Sequence, residues 1–154
     1  LIIPALIVVS IDDWEISDAA SIVIFLLSKF CSPQHKLGIK NNRIKKVGIT
    51  RWSRGGAISL MASEKRLRDA LVSKDLYFVA SQPRSPPCRD IGMFINPQLI
   101  KETKTWLVLD GADNYTLPAP CVELGKKYKA NGADLKITVK KGWHHGFTAN
   151  YKPE

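Results

Sequence analysis

Cysteine, acidic residues and long apolar runs are all scarce in this 154-residue chain, and each shortage excludes something. Its three cysteines, Cys31, Cys88 and Cys121, are too few for a disulfide scaffold, and no pair has the short spacing of a zinc site. The odd count is that expected of reduced thiols, which favours a cytoplasmic location. Cys121 falls on a helical stripe and is expected in the core. Neither apolar stretch, "LIIPALIVVS" or "AASIVIFLL", reaches the ~18 residues of a membrane span. The first has no basic flank before it and acidic "DDWE" after it, the reverse of a signal peptide. Acidic residues number 14 against 23 lysines and arginines, a net charge of +9. The basic residues are scattered and no nucleic-acid-binding motif accompanies them, so the excess reads as solvated lysine faces. Neither a nucleic acid nor a membrane is therefore expected as a partner. Repeats and low-complexity linkers are missing too, and residues 1–154 read as one domain. The first residue is Leu1 rather than methionine, as in a fragment or a processed chain.

What is present has an order. "ALIVVS", Ala5 to Ser10, is a β-branched run suited to a strand covered on both faces. Ser17 and Asp18 offer caps for a helix over Ala19 to Phe30. "IKKVGIT", Ile44 to Thr50, predicts a second strand, and Gly55 to Ala62 opens a second helix. "LYFVAS", Leu76 to Ser81, predicts a third strand, and "SQPRSPPCRD" a loop rich in turn formers. "TWLVLD", Thr105 to Asp110, is a fourth strand. Leu117, Cys121, Leu124 and Tyr128 recur at helical spacing, and Asn131-Gly132 ends that helix. "LKITVK", Leu135 to Lys140, is the last strand. Strands alternating with helices imply an α/β fold with a mostly parallel sheet.

In such sheets ligands bind beyond the carboxyl ends of the strands. Ser53, Asp113 and His144-His145 all fall there. In "ITRWSRGGAISL" Ser53 stands between a strand and a helix, with Gly55 and Gly56 as the small residues a sharp turn requires. A serine hydroxyl needs an imidazole to take its proton, and the imidazole needs a carboxylate to fix its tautomer. Taken singly, each residue has an ordinary structural reading: a glycine-rich turn, an aspartate turn, a surface histidine. Taken together, the order Ser, Asp, His in this strand context is that of an α/β-hydrolase triad. Asp110 competes for the acid position but ends its strand too early. Trp52, Tyr115 and Trp143 flank the three positions, where they can line a pocket or fill the core.

"WSRGGA", "GADNYTLPAPC" and "GWHHGF", in that order, resemble the dienelactone hydrolase family of α/β hydrolases. The resemblance runs from about Ala5 to Ala149. It implies Ser53 as nucleophile and Asp113, the first carboxylate after "LVLDGA", as acid. It makes His145, two residues before Phe147, the base, with His144 a neighbour. The Arg54 N–H becomes the first oxyanion donor. The family's founding type uses cysteine, so Ser53 points to its serine-using esterases. The implied substrate is a small carboxylic ester or lactone, with no metal or organic cofactor. Two departures stand out. Arg51 occupies the first glycine position of G-x-S-x-G, where bulk is expected to crowd the turn. No glycine loop for a second oxyanion donor is found in residues 1–16, and the strand that should separate "ALIVVS" from "KKVGIT" is missing. An N-terminally incomplete hydrolase domain of weakened activity is therefore expected. The rival readings are a non-catalytic remnant acting as a binding or structural protein, and a peptidase of the related prolyl-oligopeptidase group.

Overall fold

The structure, a computed structural model, describes residues 6–9, 46–91 and 96–146. The expected helix over Ala19 to Phe30 lies outside them. Within them the order is β1 (Leu6–Val9), β2 (Lys46–Trp52), α1 (Arg54–Met61), α2 (Lys65–Leu71), β3 (Ala80–Arg84), α3 (Cys88–Ile91), β4 (Lys104–Asp110), α4 (Pro118–Ala130) and β5 (Leu135–Lys140). The five described strands form one sheet in the order β1-β2-β3-β4-β5, and every pairing is parallel. Parallel neighbours need crossover connections, and from β2 to β5 the described helices α1 to α4 supply them.

β1 pairs directly with β2, from Leu6 opposite Lys46 to Val9 opposite Ile49. The place where the family pattern sets another strand is thus closed by direct pairing. One apolar core joins α1, α3 and α4 to the sheet through Leu60, Ile91, Leu107, Leu109, Leu124 and Tyr128. The hydrophobic stripe of α4 is the part of this core most plainly written in sequence. Its end also follows expectation, with Gly132 at φ 83 directly after Asn131.

The third strand is misplaced by sequence reading. Leu76 and Phe78 are buried, but they pack in the approach to β3, which covers "ASQPR" instead. Its register against Gly48–Trp52 of β2 decides this. Pro83 is tolerated because the pairing to β4 skips Gln82 and Pro83, where a proline has no N–H to offer. The helix α2 carried no clear apolar stripe to announce it. Buried Glu64 caps it, accepting from the backbone N–H groups of Arg66 at 2.8 Å and Leu67 at 3.1 Å.

Two of the three cysteines are not the reduced thiols expected of them. Cys88 and Cys121 form a disulfide, with 5.0 Å between their Cα atoms. They are 33 residues apart in sequence, and only the packing of α3 on α4 brings them together. The thiol argument for a cytoplasmic location loses its basis with them.

Candidate active site

β2 runs to Trp52, α1 starts at Arg54, and Ser53 between them sits at φ 57, ψ −125. Such a backbone costs an L-residue about 1–3 kcal/mol and persists only where its surroundings hold it. Two hydrogen bonds do so here. The Ser53 N–H donates to the Arg84 carbonyl at 2.9 Å, and the Ala57 N–H donates to the Ser53 carbonyl at 3.0 Å. The glycines serve close approach. A Cβ on Gly56 would stand 2.5 Å from the Arg84 carbonyl oxygen, so only glycine lets α1 lie this near β3.

Arg51 does not crowd the serine turn as expected. Its side chain lies over Gly55, where an added Cβ would come within 1.9 Å of the Arg51 Cγ. The bulk displaced from the first glycine position is taken up by the missing side chain of the second. The strained Ser53 backbone survives intact beside it.

The other two positions arrive on adjacent loops. The Gly111 N–H donates to the Lys140 carbonyl at 2.8 Å, and the Ala112 N–H to the Trp143 carbonyl at 2.8 Å. These bonds tie the loop after β4 to the loop after β5. Asp113 is buried, with its carboxylate Oδ2 2.6 Å from His145 Nδ1. His145 Nε2 is 3.0 Å from the Ser53 hydroxyl. The structure therefore brings together Ser53, His145 and Asp113 in one hydrogen-bonded chain. Asp110 stays outside it and uses its carbonyl to accept the Asp113 N–H at 3.2 Å. His144 is exposed.

The imidazole has two aromatic neighbours. Trp52 and Tyr115 pack against it with ring centroids at 4.4 and 5.0 Å. Gly146, at φ 81, makes room for Trp52, whose ring would lie 2.9 Å from an added Cβ. Over the Trp143 ring, Lys140 Nζ lies 5.5 Å from the centroid.

Thr116 is the participant that sequence reading missed. Its hydroxyl donates to Asp113 Oδ2 at 2.6 Å, and it lies 3.1 Å from the Ser85 carbonyl and 3.0 Å from His145 Nδ1. The backbone N–H groups of Tyr115 and Thr116 both donate to Asp113 Oδ1 at 2.8 Å. The one available signal was a threonine three places after the aspartate, in the register of a local aspartate turn. Burial by itself would raise the Asp113 pKa. The hydrogen bonds from Thr116, His145 and the two amides outweigh it and hold the carboxyl below its ordinary value.

The N–H of Arg54 opens α1 beside Ser53 and has no acceptor among the described residues. A donor of this kind, at the positive end of a helix, suits a developing oxyanion. The upstream segment searched for a second donor lies outside the described residues, apart from β1. No group of three potential metal ligands is assembled among the described residues. No helix among them is long and apolar enough to cross a membrane.

No protein-family model matches the chain, and no curated protein sequence matches it either. Solved structures do match in fold. An α/β hydrolase, MGS-M1, from a Medee basin deep-sea metagenome library superposes at a TM-score of 0.55 with 12% identity, over 86% of this chain and 51% of its own. Zea mays acyl-protein thioesterase 2 superposes at 0.55 with 17% identity, over 87% and 56%. The carboxylesterase Cest-2923 from Lactobacillus plantarum WCFS1 does so at 0.55 with 11% identity, over 87% and 57%. The chain has the α/β-hydrolase fold. It spans about half the length of these hydrolases. Within that fold, Ser53 stands at the strand–turn–helix junction after β2, Asp113 follows β4 and His145 follows β5.

Proposed function

We propose that the protein is a serine hydrolase of the dienelactone hydrolase type, cleaving a small carboxylic ester or lactone through an acyl-enzyme. The observation that carries this reading is the continuous chain from the Ser53 hydroxyl through His145 to Asp113, at 3.0 and 2.6 Å, with Ser53 in the strained elbow backbone. The Ser53 Oγ attacks the ester carbonyl while its proton passes to His145 Nε2. Asp113 accepts the Nδ1 proton in a hydrogen bond throughout and stabilises the imidazolium. The Arg54 N–H donates to the tetrahedral oxyanion. As the intermediate collapses, the C–O bond to the alcohol breaks and Nε2 returns the proton to the departing oxygen. Water, deprotonated by His145, then cleaves the acyl-enzyme and frees the acid and the Ser53 hydroxyl.

A fluorophosphonate probe tests the assignment. It is expected to label Ser53, and Ser53→Ala is expected to abolish labelling. Labelling that persists in Ser53→Ala would place the nucleophile elsewhere. An unlabelled, folded protein would favour the non-catalytic reading.

A further inference from the structure

Ser85, directly after β3, is a buried serine in the left-handed region, at φ 38. A residue other than glycine seldom takes such a backbone, and it persists only where its neighbours hold it. The hydrogen bonds around Ser85 show what the strain achieves. In a parallel ladder the N–H and the carbonyl of one residue bond to the two residues that flank its partner. Arg84 pairs with Val108, and the Ser85 N–H continues the ladder by donating to the Val108 carbonyl at 2.8 Å. The next bond of a regular ladder would run from the Asp110 N–H to the Ser85 carbonyl. Instead the Asp110 N–H donates to the Ser85 hydroxyl at 3.0 Å. The hydroxyl takes the carbonyl's place in the ladder, and the carbonyl is released. It stands 3.1 Å from the Thr116 hydroxyl, as a second acceptor beside Asp113 Oδ2 at 2.6 Å.

Arg84 and Ser85 therefore hold both ends of the triad. The Arg84 carbonyl accepts the Ser53 N–H at 2.9 Å. Ser85 holds the end of β4 through Asp110, whose carbonyl accepts the Asp113 N–H at 3.2 Å, and its own carbonyl faces Thr116. Further along the same segment, Cys88 is joined to Cys121 of α4, so the turn is anchored on its far side as well. None of these contacts touches a reacting atom. Without the Ser85 hydroxyl one of two losses follows. Either the Asp110 N–H goes without an acceptor, or the carbonyl turns back into the ladder and leaves Thr116.

Resting on the hydrolase reading above, we propose that Ser85 is a positioning residue that sets the acid loop against the nucleophile, acting through Asp110 and Thr116 on Asp113 and His145. The test measures nitrophenyl acetate turnover by the full chain, by Ser85→Ala and by Ser85→Gly. The glycine variant tolerates φ 38 and shares with the alanine variant only the lost hydroxyl. In both, kcat is expected to fall about fivefold, the worth of one hydrogen bond, with KM little changed. Ser85→Ala/Thr116→Val should fall no further than Thr116→Val, because both residues act on Asp113, whereas independent effects would multiply. A second readout needs no turnover. The hydrogen bond from His145 Nδ1 to Asp113 Oδ2, 2.6 Å long, gives a downfield proton NMR signal. That signal should move upfield in both Ser85 variants. Folded variants with kcat within about twofold of the wild type, or a multiplied loss in the double variant, would overturn the proposal. So would an unmoved proton signal. A signal that moves in a protein without turnover would keep Ser85 as a positioning residue and remove the hydrolase. Turnover with kcat and signal both unmoved would do the reverse.

Discussion

Replacing Thr116 by valine removes one hydroxyl and little volume, so it isolates what that hydroxyl does. In the native protein it donates to Asp113 Oδ2 at 2.6 Å and sits 3.1 Å from the Ser85 carbonyl. A hydrogen bond to a charged group contributes about 1.5–3 kcal/mol, and a buried acceptor left without a donor costs about 1–3 kcal/mol. Asp113 retains its two backbone donors, so the carboxylate stays charged but loses the contact that fixes Oδ2 against His145. A loss of about 1.4 kcal/mol of transition-state positioning is a tenfold fall in kcat. That fall is expected with KM little changed, because Thr116 acts through Asp113 and not on the acyl group. Thr116→Ser keeps the hydroxyl and should recover most of the rate, which a purely structural role would not require. Acid unfolding gives a second reading. The Thr116 hydrogen bond helps hold the Asp113 pKa down, so its loss raises the folded-state value. The acid limb of stability should then move to higher pH. Nitrophenyl acetate turnover, or the rate of fluorophosphonate labelling, measures the first effect, and circular dichroism against pH the second. A folded Thr116→Val protein with kcat within about twofold of the wild type would refute the reasoning, since a tenfold loss is worked from one hydrogen bond.

Other outcomes follow from particular contacts. Gly55→Ala should lower stability by about 1–3 kcal/mol and slow labelling of Ser53, because the new methyl meets Arg51 Cγ at 1.9 Å. In Arg51→Gly/Gly55→Ala that loss should be largely recovered, and a double-mutant cycle showing simple additivity would contradict the contact. Asp113→Asn should be less stable than the wild type near neutral pH. A depressed folded-state pKa contributes stability present above the unfolded value, here 3.8, and lost as pH falls through the folded one, so the gap should narrow in acid below about pH 4. Cys88→Ser/Cys121→Ser should lower stability by about 3–4 kcal/mol, given the 33-residue separation, and denaturant unfolding with and without reductant checks it.

Much of this protein is local enough to read from the chain alone. The apolar run of β4, the β-branched run of β5, the stripe of Cys121, Leu124 and Tyr128 and the Asn131-Gly132 stop specify their elements through composition, periodicity and turn chemistry. Ser53, Asp113 and His145 could be singled out because each follows a legible strand, and strand ends are where a parallel sheet collects its loops. Tertiary structure decided the rest. The position of β3 depends on its register against β2, which overrode the stronger apolar run at Leu76 to Ser81. The pairing of Cys88 with Cys121 depends on helices whose contact no spacing encodes. Arg51 looks like a defect in a one-dimensional motif, yet in three dimensions it fills the space above Gly55. Thr116 becomes part of the site only because the loop after β4 folds back on itself and brings the hydroxyl to Asp113, Ser85 and His145 together. Sequence patterns record what a residue does for its own helix, strand or turn. Contacts between segments distant in sequence are made by packing, and these residues owe their roles to such contacts.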